Sequence, residues 1–383
     1  DVPYTTKVLS IKESMSIART DRATVIANML ADLDEVINGN YLPASYDADN
    51  KGRITRWAAM AIKAKIYLFE GNWTQVKNIT STIMTEGGFR LFGSYAGLFE
   101  IANEYNSEVI LDAQYRPTSR EHQMMYAFLP PSLGGYSQLS PLQELVDSYI
   151  MLDGKTIRET GTSFDESNPY ANRDPRLKAT VMYTGNSYTL ADGTEVVINC
   201  EKGEGKDGYG VGSDCSATGY YIKKYWDNTY RATLYSGLNP ILIRYADILL
   251  MNAEALAELG ELDKTAWDAT IKPIRDRAGF TLASAVEFPE GASKDKLIEI
   301  VRNERRSELA LEGHRHKDII RWRIADDVLN GWCHGLKTNE VVGTDNGYVR
   351  VENRAFNANK HYLWPIPQAE RDLNGNLVQN PNW

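Results

Sequence analysis

Three times along this chain an amphipathic helical stretch runs into one glycine and resumes at once as a second helix. The segments are KAKIYLFEGNWTQVKNITSTI, LMNAEALAELGELDKTAWDATI and RRSELALEGHRHKDIIRW, with Gly71, Gly260 and Gly313 at the turns. Glycine suits these positions because a tight helix exit needs a left-handed backbone, which a side chain resists. Small residues at Ala58, Ala59, Ala61 and Ala64, and again at Ala246, Ala253, Ala255 and Ala257, let paired helices approach closely. The pattern specifies helix hairpins of tetratricopeptide type, irregularly spaced.

Apolar periodicity predicts helices at 20–38, 54–70, 72–86, 241–259, 263–278, 293–312 and 317–329. From about 100 to 240 the pattern changes to Gly, Pro, Asn, Ser and Tyr, with short strand-like runs such as EVILDAQY and EVVIN. The expected fold is mainly α: one domain over 1–383, with a hairpin framework at about 16–90, 241–280 and 293–330. A loop-rich insertion at about 100–240, made of long, partly ordered loops, is expected to face the ligand.

Asp plus Glu (51) outnumber Lys plus Arg (42), giving a net charge of −9, so a general affinity for nucleic acid is not expected. Neutral, hydroxyl-rich ligands fit better. The most apolar run, PILIRYADILLMNAEALAEL, carries Arg244, Asp247 and Glu254, which excludes an ordinary membrane span. The chain opens on DVPYTTKVLS without an initiator methionine and reads as a processed or truncated product.

The densest charge lies in RNERRSELALEGHRHKDIIRW, residues 302–322. Glu304 and Glu308 are four apart and share a helix face, as an acid/base pair or metal ligands would. No third ligand follows at ligand spacing, and the surrounding arginines neutralise them more simply, so a buried ion-pair network is expected. On that view Glu308→Ala or Arg315→Ala lowers thermal stability. His314 and His316 diverge on a helix and do not converge on one ion. No metal or cofactor is expected.

No GxSxG elbow, Walker loop or dinucleotide fingerprint is present, and GEGKDGYGVG lacks the GK[ST] ending of a phosphate cradle. Cys200 and Cys215 flank that glycine-rich segment, and an oxidising compartment would permit a disulfide between them; Cys333 is expected to be an unreactive thiol. The sequons NWT at 72–74 and NIT at 78–80 fall inside a predicted helix hairpin and are taken as coincidental.

The middle third is rich in aromatics: Tyr136, Tyr183, Tyr188, Tyr209, Tyr220, Tyr221, Tyr225, Trp226, Tyr230 and Tyr235, set among Asn, Asp, Gly and Lys. Flat rings with polar neighbours suit sugars, whose C–H faces stack while hydroxyls take hydrogen bonds. Others of these tyrosines are expected in the core. Tyr136, Tyr209, Tyr220 and Trp226 are the candidate ligand-binding residues.

The segments NPILIRYADILLMNAEAL, RNERRSELALEGHRHKDIIRW and WPIPQAERDLNGNLVQNPNW resemble the SusD/RagB family of outer-membrane nutrient-binding lipoproteins. GRITRWAAMAIKAKIYLFEGNWTQV, GGFRLFGSYAGLFE and SEVILDAQY match its preceding segment in the expected order, so the resemblance covers nearly the whole chain. The family's motif residues fall on Arg244, Asp247 and Glu254, then on Glu304, Arg305, Arg306, Glu308, Leu309, Glu312, Gly313, Arg315, Asp318, Arg321 and Trp322. They continue on Pro365, Ile366 and Pro367, with Asn380 and Pro381 closing the chain. In the family these are framework positions.

The resemblance implies a non-enzymatic, cell-surface protein of a Gram-negative outer membrane, tethered by an N-terminal lipidated cysteine. It implies capture of oligosaccharide or polysaccharide and delivery to a SusC-like TonB-dependent transporter. The family's N-terminal portion, with signal peptide, lipid-bearing cysteine and first helices, is not in this sequence, so part of the binding surface is expected to be missing. A RagB-like peptide-binding role is the alternative; a two-carboxylate glycoside hydrolase and a scaffold without ligand are further ones.

Overall fold

A computed structural model describes residues 1–229 and 233–383; Tyr230 lies outside them. The first hairpin forms as the sequence specifies. Thr55 caps the helix Arg56–Glu70, its side chain accepting from the Ala58 amide, and Gly71 ends it with φ 70°. The Asn72 amide reaches back to the Tyr67 carbonyl at 2.9 Å, and the Asn72 side chain caps the next helix, Trp73–Glu86. One residue thus closes one helix and opens the next. Both sequons sit within this hairpin.

The helix Tyr245–Leu259 is the centre of the framework and ends at Gly260, φ 75°. Ile248, Met251 and Ala255 pack against Trp57, Ala58, Ala61, Ala64, Val76 and Ile83. Its other side, Ala246, Leu249, Leu250, Ala253 and Ala257, packs on Trp267, Ile271, Ile274, Leu297 and Val301. Covered on two sides, it is apolar nearly all round, which explains a run that resembles a membrane span in composition. Among the described residues no helix is long and apolar enough to cross a membrane.

Several expected boundaries shift. Residues 241–244 form a strand, Ile241–Arg244, antiparallel to Val109–Asp112 of the EVILDAQY run. The 263–278 helix divides at Thr270 into Lys264–Ala269 and Ile271–Ala278. Pro273 causes this, because it has no N–H for the residue 269 carbonyl and its ring crowds that group. The 293–312 helix is Lys294–Glu308, and Leu311 (φ 64°) and Gly313 (φ 80°) turn the chain. The 317–329 stretch is two short helices, Arg315–Arg321 and Ala325–Val328, parted at Arg323 with φ 57°.

The insertion is loop-rich, as expected, with only short helices and strands, and its loops pack on a core. Met125, Phe128, Leu129, Val146, Leu177, Val181, Met182, Tyr188, Tyr220 and Tyr221 build a core of their own. Tyrosine serves this core because its ring packs while its hydroxyl reaches a main-chain acceptor. Tyr188 donates to the Ile222 carbonyl at 2.7 Å and Tyr221 to the Asp207 carbonyl at 2.5 Å. Beyond the framework lies a sheet without a counterpart among the expected elements, ordered Gly331–Lys337, Tyr348–Arg354, Thr344–Asp345. Register shifts at Cys333/His334 and His334/Lys337 interrupt the alternation that would have marked it.

Candidate functional site

The conspicuous charges form the joint between insertion and hairpins. Arg244 Nη1 lies 2.7 Å from Glu108 and 2.6 Å from Glu308, and its Nε lies 2.8 Å from Glu312. Arg176 Nη1 lies 2.7 Å from Glu304 and 2.9 Å from Glu308, while its Nη2 holds Asp174 at 2.7 Å. Arg275 binds Glu304 at 2.7 Å, Arg277 binds Glu108 at 2.9 Å and also Glu308, and Lys224 binds Glu312 at 2.7 Å. Arg176, Lys224, Arg244, Arg275 and Arg277 therefore balance Glu108, Asp174, Glu304, Glu308 and Glu312 in formal charge. A neighbouring group joins Arg305 to Asp247 (2.6 Å) and Asp318 (2.9 Å), and Arg321 to Glu254 (2.6 Å).

Burial alone would push the Glu308 carboxyl up, but Arg277, Arg244 and Arg176 together hold it well below the usual carboxylate range. Burial likewise acts against ionised Glu312, yet Arg244 and Lys224 bring it down to about 2. A general acid needs the opposite shift and an open path to substrate. The expected ion-pair network is what the structure contains.

Arg315 is the exception to that expectation. Among the described residues it forms no ion pair, lying instead 5.9 Å over the Trp322 ring. His314, lowered to about 4 by burial above all, accepts from Arg305 at Nδ1, whereas His316 faces Trp364. No group of three or more His, Cys, Asp and Glu able to hold a metal occurs among the described residues. Cys200, Cys215 and Cys333 are free thiols.

The four candidate aromatics divide between two places. Tyr220 is 2% exposed, and its hydroxyl donates to Gln143 Oε1 at 2.5 Å and lies 3.2 Å from the Tyr170 hydroxyl. It forms the floor of a cavity of about 360 Å³, lined also by Asn168, Tyr170, Asn339 and Tyr348. Half-buried Tyr209 packs against the insertion core, its amide on the Cys200 carbonyl. Half-buried Trp226 packs its ring on Tyr188 at 5.2 Å, and its Nε1 donates to the Thr189 carbonyl at 2.9 Å.

Tyr136 alone of the four is largely open, at 49% exposure. It stacks on Tyr126, centroids 5.8 Å apart and planes 23° apart, and Tyr126 meets Tyr235 edge-on at 6.3 Å. The Tyr136 amide donates to the Tyr126 carbonyl at 2.8 Å, which fixes the stack from the backbone. The turn before Tyr136 walls an open cavity of about 630 Å³ with Ser132, Leu190, Asn228 and Thr229. Sequence reasoning missed Tyr126, which stands inside the short helix Met124–Phe128 and looks like core. Its ten-residue spacing from Tyr136 carries no periodic signal.

A tetratricopeptide-like helical scaffold with an inserted, tyrosine-bearing second core defines the class. The chain belongs to the SusD family, whose model matches residues 98–383. It is similar to a SusD-like carbohydrate binding protein of Bacteroides fragilis, with 30% identity, a TM-score of 0.86, and coverage of 98% of this chain and 75% of that one. A second SusD-like protein of that organism gives 27% identity and a TM-score of 0.83 over 100% of this chain and 75% of its own. SusD-like protein P25 of Formosa agariphila is 28% identical over 99% of this chain and 68% of its own length.

Proposed function

We propose that this protein captures oligosaccharide through the exposed tyrosines of its insertion. The observation that carries the proposal is the Tyr126–Tyr136 stack with Tyr235 against its edge, beside a cavity to which Ser132, Asn228 and Thr229 bring hydroxyl and amide groups among apolar side chains and Asp192. Aromatic faces held open by backbone and ring contacts offer a sugar a preorganised stacking surface, and nearby hydroxyls and amides complete its hydrogen bonds. The name of the Bacteroides fragilis relative, a carbohydrate binding protein, agrees with this reading. Tyr220, with its hydroxyl satisfied inside the protein, serves as wall more than as contact, and Trp226 supports the adjoining loop.

The same proposal places the protein at the outer-membrane surface, lipid-anchored and handing its glycan to a SusC-like TonB-dependent transporter. Family membership is what supports that part. Isothermal titration against a panel of neutral oligosaccharides tests the binding: Tyr136→Ala and Tyr235→Ala are expected to weaken it about tenfold each, at roughly 1–3 kcal/mol per lost stacking face. Binding that survives both, or capture of peptides with no glycan bound, overturns it.

A further inference from the structure

Arg306 and Arg315 depart from the rule that the cations around them follow. Arg302 lies 3.0 Å from Glu258, Arg305 2.6 Å from Asp247 and Arg321 2.6 Å from Glu254. Among the described residues, neither Arg306 nor Arg315 has a carboxylate partner; Arg306 donates to the Glu144 carbonyl and Arg315 covers Trp322. Both are partly buried, and both line one cavity of about 540 Å³. That cavity lies between the helices Gln143–Ser148 and Lys294–Glu308 and the start of the strand Gly331–Lys337.

Its walls are mostly hydrocarbon, from Leu142, Leu145, Ile319, Val328 and half-exposed Trp332. Among the described residues, the carboxylates nearby form no ion pair with either arginine and offset their charge only in part. Glu144 is turned to His334 at 2.8 Å, Asp318 is held by Arg305 and Arg321, and Asp327 is exposed to solvent. Burial above all, then the Arg315 charge, lowers Arg306 to about 10, and Glu144 and Asp147 offset that only in part. An anion entering the cavity relieves that imbalance, and the relief contributes to its binding.

We propose that this cavity binds an amphipathic monoanion, its carboxylate held by the Arg306 and Arg315 guanidiniums and its hydrocarbon body against the leucine, isoleucine and tryptophan wall. Guanidinium forks match a carboxylate in two parallel hydrogen bonds. The volume is that of a small-molecule site, and a mostly apolar wall with Ser140 as its hydroxyl and Asn330 as its amide gives sugars few partners and rewards a hydrocarbon body that inorganic phosphate lacks. The Tyr126, Tyr136 and Tyr235 surface is not part of it, so its occupancy is independent of glycan binding.

Titration calorimetry with octanoate, 1-octanol and inorganic phosphate tests the assignment on the unaltered protein. Octanoate is expected to saturate a single site about tenfold more tightly than octanol, the difference a charge-assisted hydrogen bond supplies, and phosphate to give no saturable heat. Arg306→Gln and Arg315→Gln, checked for folding by circular dichroism, are each expected to erase the preference for octanoate over octanol, with Arg306→Lys retaining part of it. Equal affinity for octanoate and octanol, phosphate binding tighter than octanoate, no saturable octanoate binding, or a preference unchanged in the double Gln variant overturns the proposal.

Discussion

Glu308 shows how charges that resemble an active site serve instead as a joint. Arg244 and Arg277 hold Oε1 and Arg176 holds Oε2, from three separate segments. Glu308→Ala removes the anion and leaves the guanidiniums unbalanced without solvent, which is expected to cost about 3–5 kcal/mol in urea denaturation. Arg315→Ala, with no ion pair to break, is expected to cost far less; equal losses would contradict the network. Because Glu308 and Glu312 are held below the ordinary glutamate value of 4.5 in the folded state, their stabilisation is full above that pH. It is lost as pH falls toward 2, so Glu308→Gln should flatten the acid limb of a melting-temperature profile. The sequence placed Glu304 and Glu308 on one face among arginines. It could not show that Arg176 and Arg244 would be their partners, because such pairing is set by tertiary packing and leaves no local spacing. Cys200, whose thiol is pushed up by burial above all, is expected to resist iodoacetamide at neutral pH while half-buried Cys215 reacts.

At the scale of elements, local rules made the helix hairpins legible. Gly71 and Gly260 adopt the left-handed conformation their turns require, and Gly260→Ala is expected to destabilise by about 1–2 kcal/mol, measurable by calorimetry. The helix breaks at Thr270 and Arg323 were missed for different reasons. Pro273 is a local signal that periodicity overrode, whereas the left-handed Arg323 has no sequence mark. The sheet at 331–354 was hidden by its bulges, and it carries a pH-sensitive clip. His334 lies 2.8 Å from Glu144 on the helix Gln143–Ser148 and 3.0 Å from Asp345 on the far strand of the sheet, Thr344–Asp345. Burial alone would lower the imidazole, but hydrogen bonds to Asp345 and Glu144 raise it overall. A raised histidine stabilises fully below its unfolded value of 6.5 and loses that contribution as pH climbs through the folded value. Amide exchange along Gly331–Lys337, corrected for intrinsic rates, should therefore become less protected above neutral pH, and His334→Gln should abolish the dependence. Protection independent of pH in the unaltered protein would contradict the clip.

At the scale of the molecule, two kinds of residue divide the labour. Residues spaced by helix geometry build the framework, and their motifs carry the family resemblance. The tyrosines of the insertion answer to no period, so composition signals an aromatic region without saying which rings open to solvent. Tyr136 and Tyr220 look alike in sequence; one stands 49% exposed on a stacked partner, and the other is sealed with its hydroxyl satisfied. Packing of the insertion around its own core decides between them. The most direct test of this division is oligosaccharide titration of Tyr136→Ala beside Tyr220→Phe, with unfolding free energies measured on both. The account predicts that Tyr136→Ala weakens binding about tenfold with stability nearly unchanged, while Tyr220→Phe keeps its affinity and loses about 1 kcal/mol of stability with its buried hydrogen bonds. Lost affinity in Tyr220→Phe with Tyr136→Ala binding normally would contradict it.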